Sequence, residues 1–453
     1  MSGANVGPSP TAASDTAAVE AIRQHGRDLY NQGDYQGDVD QQNKALKLMP
    51  DYAPSYFSRG AAYAAMGKSS LALADYSKAI ALDPNYPDPY NNRCVLYKSL
   101  GQYSKAKADC SSAIRIKPDW EWPYNNRGNA YLDTGEYDLA VADYTKAMQL
   151  SPRFASAYLN RGTAYEDMNK YAEAIADFEK GIQLAPTDPM GPNGLGTVYY
   201  AQRKYAEALV QYSKAIDLDP NYTIAYVNRG SDYERMGQYA LSLADYTTAL
   251  GQQPNYSAIY RDRALTYLDT NDFNNAFKDA DQAIQLGLTE ARPYFYRAIA
   301  EHHLNKNDAA IDDYTRSIKL DPNFSDAYND RGLTYAALGK YDLAVADYQQ
   351  ALRLPSPDTA PGEVYVNIGN AYSKAVDYDK ALTAYQQALD AQPNDAEAYL
   401  GLAMTYTSKG DKAQAIAAYQ KLLDLTAGSN NARYAQLHAQ SQQMLQQLSA
   451  NPK

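Results

Sequence analysis

Apolar residues recur along this chain at helical spacing, in pairs of blocks separated by short turns such as residues 135–137. Prolines at residues 50, 84, 118, 152, 186, 220 and 254 mark a constant step of 34 residues. The frame skips one proline near Leu288, returns at Pro322 and shifts by three residues within residues 355–361. The pattern predicts a series of helical hairpins, with the proline ending each second helix.

The repeat that starts at Glu121 shows which positions carry the pattern. Aromatic residues stand at repeat positions 4, 11 and 24, small ones at 8, 20 and 27, and proline at 32, here Tyr124, Tyr131, Tyr144, Gly128, Ala140, Ala147 and Pro152. We expect the small residues to let helices approach closely and the aromatic residues to fill the gaps between hairpins. This arrangement resembles the tetratricopeptide repeat family. The resemblance implies an all-α fold, a right-handed α-solenoid superhelix of about twelve 34-residue helix-turn-helix repeats with a concave groove.

The predicted domain organisation follows from the repeat frame. Repeats start at Val19, Ala53, Pro87, Glu121, Ala155, Pro189, Thr223, Ser257, Ala291, Ser325, Gly362 and Ala396. We expect a disordered segment at residues 1–18, the solenoid at 19–429, a capping helix at 430–449 and a tail at 450–453. The predicted cap places apolar residues on one face and glutamines elsewhere, as the end of a repeat array requires.

Repeat positions 7 and 23 carry opposite charges in the same eight repeats. The pairs are Arg59/Asp75, Arg93/Asp109, Arg127/Asp143, Arg161/Asp177, Arg229/Asp245, Arg263/Asp279, Arg297/Asp313 and Arg331/Asp347. The other four repeats lack both charges and have His25/Gln41, Leu195/Gln211, Ile368/Ala384 and Leu402/Ala418. Because the two positions face each other across a hairpin, we predict an ion pair that clamps its two helices. The alternative is an arginine ladder for anionic ligands.

The resemblance also implies where a ligand would bind, because tetratricopeptide grooves are lined by first-helix positions 2, 5, 6, 9, 12 and 13. The predicted peptide-binding residues are Asn91, Asn92, Trp122, Asn125, Asn126, Asn129, Asn160, Glu166, Asn228, Asp262, Asp330 and Asn367. Stacked amides offer donors and acceptors to an extended peptide backbone of any sequence, and an exposed tryptophan is an aromatic anchor. The alternative is that the asparagines solvate the inner face or cap neighbouring helices.

The two cysteines of the chain lie in one repeat, Cys94 at position 8 and Cys110 at position 24. These positions should be near neighbours across the hairpin. Two interpretations stay open: a disulfide, which would favour an oxidising compartment, or two buried thiols that pack against each other.

Charge and missing motifs exclude several functional classes. A net charge of −11 disfavours nucleic acids and anionic membranes as partners, and no apolar run approaches the length of a membrane span. The sequence has no phosphate-binding glycine loop and no nucleophile elbow, and adjacent His302 and His303 point in different directions on a helix. We therefore expect no enzymatic activity, no cofactor and no metal site.

The sequence thus predicts a non-catalytic scaffold or adaptor that binds an extended or helical segment of a partner protein in the concave groove. The acidic groove favours neutral or basic segments. The alternative is a structural scaffold that self-assembles through its end caps or convex face, and the oligomeric state stays open. The N-terminus lacks the pattern of a signal peptide, which favours the cytoplasm. The alternative is an exported or periplasmic protein whose signal peptide has been removed.

Overall fold

Each predicted repeat folds as two helices joined by a short turn, and the predicted all-α array of twelve hairpins is confirmed. The structure is a computed structural model that describes residues 10–355 and 360–450, with side chains from residue 16. The chain divides into unit 1, Met1–Ala225, and unit 2, Tyr226–Lys453. No helix in the described residues is both long enough and apolar enough to cross a membrane.

Six hairpins make up unit 1. Their helices are α1 (Pro10–Asn31), α2 (Tyr35–Leu48), α3 (Ala53–Ala65), α4 (Ser69–Leu82), α5 (Pro87–Ser99), α6 (Tyr103–Ile116), α7 (Glu121–Leu132), α8 (Tyr137–Leu150), α9 (Ala155–Asp167), α10 (Tyr171–Leu184), α11 (Met190–Ala201) and α12 (Tyr205–Leu218). In each hairpin the odd-numbered helix is the first helix and the even-numbered helix is the second.

The remaining six hairpins begin with α13 (Thr223–Arg235), whose first three residues belong to unit 1. The others are α14 (Tyr239–Gln252), α15 (Ser257–Asp269), α16 (Phe273–Gln285), α17 (Ala291–His303), α18 (Asn307–Leu320), α19 (Ser325–Ala337), α20 (Tyr341–Ala351), α21 (Pro361–Lys374), α22 (Tyr378–Ala391), α23 (Ala396–Lys409) and α24 (Lys412–Thr426), followed by α25 (Ala432–Ala450).

The turn inside every hairpin requires a left-handed residue at position 15. In all twelve hairpins this residue has a φ between +57° and +84°. Glycine, such as Gly135, adopts this conformation without a steric penalty, and asparagine tolerates it. Val376 adopts it with a φ of +63°, although it is β-branched, so the turn between α21 and α22 is strained.

The hairpin core is built from small residues facing one large ring. A Cβ atom added to Gly128 would lie 2.7 Å from Tyr144 Cε1, so the position-8 glycine makes room for the position-24 ring. Tyr144 is buried, as are the position-24 aromatic residues of eight other hairpins. The position-24 ring also reaches the next hairpin, since a Cβ atom added to Gly194 would lie 2.3 Å from Phe178 Cε1, so the expectation that aromatic residues fill the gaps between hairpins holds for position 24. The tyrosines at positions 4 and 11 are only partly buried and flank the position-7 arginines instead, as Tyr124 and Tyr131 do for Arg127.

All eight predicted Arg–Asp pairs form. The arginine Nε atom lies 2.6–2.8 Å from the aspartate Oδ2 atom, and a second N–H group donates to Oδ1, so each pair is bidentate. At least seven of the arginines also donate from Nη1 to position 25 of the preceding hairpin. These acceptors are Asn43, Ser77, Ser111, Thr145, Thr247, Asp281 and Thr315. The clamp thus joins neighbouring hairpins as well as the two helices of one hairpin.

The carboxylates of these clamps are buried, in keeping with the structural role that the sequence predicts for the ion pairs. Each of the eight aspartates is only 5–8% exposed, and both of its oxygens accept from its own arginine. The buried aspartates are Asp75, Asp109, Asp143, Asp177, Asp245, Asp279, Asp313 and Asp347. Because both oxygens of each aspartate already accept from its own arginine, these residues hold the helices together. Each guanidinium is already compensated by such a carboxylate, which favours the structural clamp over an arginine ladder for anionic ligands.

The two ends of the array match the sequence prediction to different degrees. Disorder is predicted for residues 1–18, but α1 begins at Pro10 because the alanine-rich stretch after it favours a helix and proline is tolerated in the first turn. Residues 1–9 lie outside the described part of the chain. The predicted cap corresponds to α25, in which Leu437 is buried. Met444, Leu445 and Leu448 pack against the core of the last two hairpins. Of the predicted tail, residues 451–453 also lie outside the described part.

The hairpin α5–α6 contains a Cys94–Cys110 disulfide. Both residues are fully buried, at the positions where the next hairpin has Gly128 and Tyr144. Of the two interpretations of the cysteine pair, the structure therefore contains the disulfide.

Candidate functional site

The first helices of unit 1 form a continuous surface, which we call the inner face of unit 1. Consecutive first helices contact one another directly, from α1 through α3, α5, α7 and α9 to α11. No pair of second helices makes comparable contacts among the described residues of this unit. The predicted groove residues on α5, α7 and α9 therefore lie on neighbouring helices of one surface.

The asparagines of this surface are hydrogen-bonded from one hairpin to the next. Asn126 Nδ2 donates to Asn91 Oδ1 at 2.9 Å, and Asn160 Nδ2 donates to Asn125 Oδ1 at 3.0 Å. A position-6 amide thus binds the position-5 amide of the preceding hairpin. The Oδ1 atoms of Asn126 and Asn160 accept no hydrogen bond from any described residue. These two oxygens are oriented by the donor side of the same amide.

The prediction that all these asparagines face a ligand needs correction for Asn91 and Asn125. Their exposed fractions are 7% and 3%, because they lie in the contact between consecutive first helices. Asn129 is also engaged, since its Oδ1 accepts a 2.7 Å hydrogen bond from the hydroxyl of Tyr144. Asn92 Oδ1 accepts from Asn91 Nδ2 at 3.3 Å. The position-5 amides therefore support the scaffold by accepting from the next hairpin, which is a role that neither prediction for the asparagines included.

Trp122 keeps the exposure that an anchor needs. Its side chain is 45% exposed, and its ring packs edge-on against Phe154 with 4.7 Å between the centroids. This contact fixes the ring while leaving much of its surface free. An aromatic residue held in this way can bury further apolar area on binding at low entropic cost.

Glu166 is the acidic member of the predicted set in unit 1. Its Oε2 atom accepts a 2.8 Å hydrogen bond from Thr197 Oγ1 on the next first helix. Burial raises the pKa of the Glu166 carboxyl to about 7. The negative charge of this site therefore develops around neutral pH, and a cationic group bound beside it would stabilise the charged form.

The remaining predicted residues belong to unit 2. Asp262 pairs with Arg261 at 2.8 Å, so its charge is compensated within the chain. Asn367 Nδ2 donates to Asn329 Oδ1 at 3.2 Å, which repeats the amide pairing seen in unit 1. Burial raises the pKa of Asp330 to about 7. Asn228 lies on α13, close to the boundary of the two units.

The repeats match known family models over most of the chain. Models described as tetratricopeptide repeat or TPR repeat match residues 53–86, 76–108, 128–169, 155–188, 196–237, 227–302, 300–339, 324–394 and 366–431. The chain belongs to the tetratricopeptide repeat family. Comparison with curated protein sequences gives no significant match.

Solved structures of tetratricopeptide repeat proteins are similar to this chain at low identity. The Cut9–Hcn1 hetero-tetramer of APC/C is 14% identical and covers 96% of this chain and 99% of its own, with a TM-score of 0.48. Yeast Tom70 is 17% identical, covers 96% of both chains and has a TM-score of 0.40. A tetratricopeptide repeat protein from Parabacteroides merdae is 21% identical and covers 55% of this chain and 99% of its own, with a TM-score of 0.49.

The sequence did not reveal two features of the site, which are a hydrogen-bond pairing between hairpins and the residue Thr197. The pairing of position 6 with position 5 of the preceding hairpin depends on the offset between adjacent first helices, which the spacing alone does not give. Thr197 was missed because threonine is common on helix surfaces. A carboxylate at position 12 followed by a threonine about 31 residues later is a signal that could have identified it, since Glu234 and Thr266 repeat the contact at 3.0 Å in unit 2.

Proposed function

We propose that this protein is a non-catalytic scaffold that binds an extended segment of a partner protein along the inner face of unit 1, centred on α5, α7 and α9. The observation that carries the proposal is the row of position-6 amides. Asn126 and Asn160 each donate to the preceding hairpin and leave an oriented Oδ1 atom that accepts from no described residue. Such oxygens accept hydrogen bonds from backbone N–H groups of a peptide of any sequence.

The charge of the same surface favours neutral or basic segments. Glu166 lies on α9 and Asp133 at the end of α7, and Asp133 is only partly neutralised by Lys98 at 3.1 Å. The Arg–Asp clamps add no free positive charge, because each arginine has its own aspartate. We therefore propose a partner whose bound segment carries lysine or arginine near Glu166 and an apolar residue against Trp122.

A peptide array tests this proposal. The intact chain is applied to immobilised peptides of about 15 residues that vary in net charge, beside an Asn126→Ala/Asn160→Ala variant. We expect binding to neutral and basic peptides, and a loss of roughly tenfold in the variant if each lost amide hydrogen bond contributes about 0.5–1.5 kcal/mol.

The matched control is Gln149→Ala/Gln183→Ala, which removes two amides from the second helices of the same hairpins. Equal binding by the asparagine variant and the wild type, with the control also unchanged, would show that the inner-face amides bind no peptide. Binding restricted to acidic peptides would contradict the proposed charge preference. A molecular mass that rises with concentration would instead favour the self-assembling scaffold.

We also propose that the protein works in an oxidising compartment. The support is the buried Cys94–Cys110 disulfide, because such bonds persist outside the reducing cytoplasm. Mass spectrometry of protein alkylated directly in fractionated cells tests this. If Cys94 and Cys110 are alkylated in most of the protein, their thiols are reduced in the cell, and the protein would be assigned to the cytoplasm instead.

A further inference from the structure

The aromatic residue at position 24 is replaced in three of the twelve hairpins. The other nine have Tyr76, Tyr144, Phe178, Tyr212, Tyr246, Tyr314, Tyr348, Tyr385 and Tyr419, all at most 2% exposed. The replacements are Gln42 in the first hairpin, Cys110 in the third and Ala280 in the eighth. Because a position-24 ring fills much of the hairpin core, each replacement must be compensated or leave a cavity.

Two of the three replacements are compensated inside the chain. In the third hairpin Cys110 forms the disulfide with Cys94. In the eighth hairpin the ring of Tyr296, from the next first helix, packs in the same buried cluster as Ala280.

The first hairpin has no such replacement ring. Gln42 turns its amide to Asp38, with Nε2 donating to Oδ1 at 2.7 Å, and a cleft of 270 Å³ opens between α1 and α3. The residues that line the cleft include Tyr30, Asp38, Phe57, Ser58, Ala61 and Asn92. An apolar cavity of about 150 Å³ is enough for a benzene ring. The cleft is therefore large enough for one substituted ring.

The chemistry of the cleft selects among possible occupants. Phe57 and Tyr30 supply aromatic walls, and Asp38, which is 1% exposed, supplies a carboxylate at the buried end. Gln42 does not line the cleft, so the Asp38 carboxylate is the acceptor at the deep end, where a donor can pair with it. Arg27 lies at the exposed rim and opposes the entry of a cation.

We infer that the cleft receives a tyrosine side chain of the partner segment, with its ring between Phe57 and Tyr30 and its hydroxyl donating to Asp38. This inference rests on the proposed function and deepens it, because the cleft lies at the α1 end of the same inner face. The ring does not come from residues 1–18 of the chain, since they contain no aromatic residue. Phenylalanine has no donor for Asp38, and lysine would meet Arg27.

The test uses small probes that represent single side chains. The intact chain is titrated by NMR with p-cresol, toluene and n-butylammonium, which stand for tyrosine, phenylalanine and lysine. We expect saturable binding of p-cresol, binding of toluene weaker by at least about fivefold because the Asp38 acceptor is left unpaired, and no saturable binding of n-butylammonium. Toluene as tight as p-cresol, or n-butylammonium tighter than both, would overturn the tyrosine assignment.

Two variants and one control variant locate the site. Ala61→Leu should abolish p-cresol binding by filling the mouth of the cleft, whereas Thr163→Leu, at the same repeat position of the fifth hairpin, should leave it unchanged. Asp38→Val, which removes both acceptor oxygens, should reduce p-cresol affinity to that of toluene. Circular dichroism and thermal unfolding check that each variant folds. Unchanged p-cresol binding in Ala61→Leu would overturn the inference.

The outcome separates this inference from the proposed function. If the cleft binds p-cresol but no peptide binds the inner face, the proposed function fails while the cleft is established as a phenol site. If peptides bind equally well with tyrosine or phenylalanine and p-cresol does not bind, the inference fails while the proposed function survives.

Discussion

Two neighbouring hairpins of unit 2 hold their helices together in opposite ways. In α19–α20, Arg331 Nε lies 2.7 Å from Asp347 Oδ2, and the two side chains are 15% and 10% exposed. In α21–α22 the same positions have Ile368 and Ala384, which are 5% and 2% exposed and belong to one hydrophobic cluster. The space between repeat positions 7 and 23, which we call the slot, thus accepts either a fully hydrogen-bonded ion pair or apolar side chains.

The slot requires that both charges are present or both are absent, and it does not require charge as such. A buried ion pair gains little over apolar residues of similar volume, whereas a single charge left in the slot is costly. This explains why arginine and aspartate occur together in eight hairpins and are both absent from the other four. The arginine also donates to position 25 of the preceding hairpin, so the charged version adds a bond between hairpins that the apolar version lacks.

Converting half of one hairpin into the other tests whether the two kinds of hairpin are equivalent. Arg331→Ile leaves Asp347 buried without its partner, and we expect it to lower the free energy of unfolding of α19–α20 by about 3 kcal/mol. Arg331→Ile/Asp347→Ala reproduces the residue types of α21–α22 and should recover most of that loss. Hydrogen exchange of the α19 and α20 amides measures the effect, because stability in a repeat array is local.

The control for this pair of variants is Arg353→Ile, which changes an arginine just after α20 that belongs to no clamp. It should change the free energy of unfolding by less than about 0.5 kcal/mol. A double variant as unstable as Arg331→Ile alone would show that the slot specifically needs the ion pair.

The disulfide hairpin α5–α6 has the clamp but lacks the position-24 ring. We expect reduction of Cys94–Cys110, which are 16 residues apart, to destabilise this hairpin by about 2–3 kcal/mol. Cys94→Gly/Cys110→Tyr restores the residue types of α7–α8, so it should recover most of the loss and remove the sensitivity to reductant. Thermal unfolding with and without dithiothreitol measures both effects. An unchanged unfolding temperature on reduction would show that the clamp alone holds the hairpin.

The comparison also shows what the sequence could reveal. The Arg331–Asp347 clamp was predictable because two positions change together from repeat to repeat within one chain. Its third partner, Thr315, was not, because position 25 varies among asparagine, serine, threonine and aspartate, which are common on any helix surface. The helices and turns were predictable for the same reason as the clamp, since twelve copies repeat one pattern.

The candidate site was less predictable than the fold, because it depends on contacts between repeats. The asparagine row was visible in the sequence, but the sequence did not show that Asn126 would bind Asn91 and so bury it. Gln42 occupies the position where nine hairpins have an aromatic ring, and whether a neighbouring ring such as Tyr296 compensates depends on the next helix. The contacts that form the candidate site therefore depend on the relative positions of adjacent helices, which the pattern within a single repeat does not specify.

A buried acid without an arginine partner provides a third, smaller test. Glu301 occupies position 11, where the other hairpins with a clamp have tyrosine, and it is 7% exposed with Oε2 unpartnered among the described residues. Burial raises the pKa of Glu301 from 4.5 to about 7. The folded chain therefore retains a proton that the unfolded chain releases, and this group makes the protein less stable as pH rises from about 4.5 to about 7.

Glu301→Gln should remove that dependence. We expect the variant to gain on the order of 1–2 kcal/mol in free energy of unfolding relative to the wild type between pH 5 and pH 8. Urea unfolding at both pH values measures the gain, with the exposed Glu363→Gln as the control. An equal difference between variant and wild type at both pH values would show that Glu301 does not titrate in this window.

The smallest expected effect concerns the turn of the apolar hairpin α21–α22. Val376 has a φ of +63°, and its side chain is 66% exposed, so no burial offsets the strain of a β-branched residue in this conformation. Val376→Gly should raise the free energy of unfolding of this hairpin by about 0.5–1 kcal/mol, because the relief of strain exceeds the entropic cost of glycine. Gly339→Val, the reverse change in the charged hairpin α19–α20, should lower it by a similar amount, since Gly339 has a φ of +73°. Hydrogen exchange at both turns measures the two changes together. A lower free energy of unfolding in Val376→Gly would contradict this prediction. It would show that the apolar hairpin depends on its turn residue and the charged hairpin does not, so that the two hairpins are not equivalent.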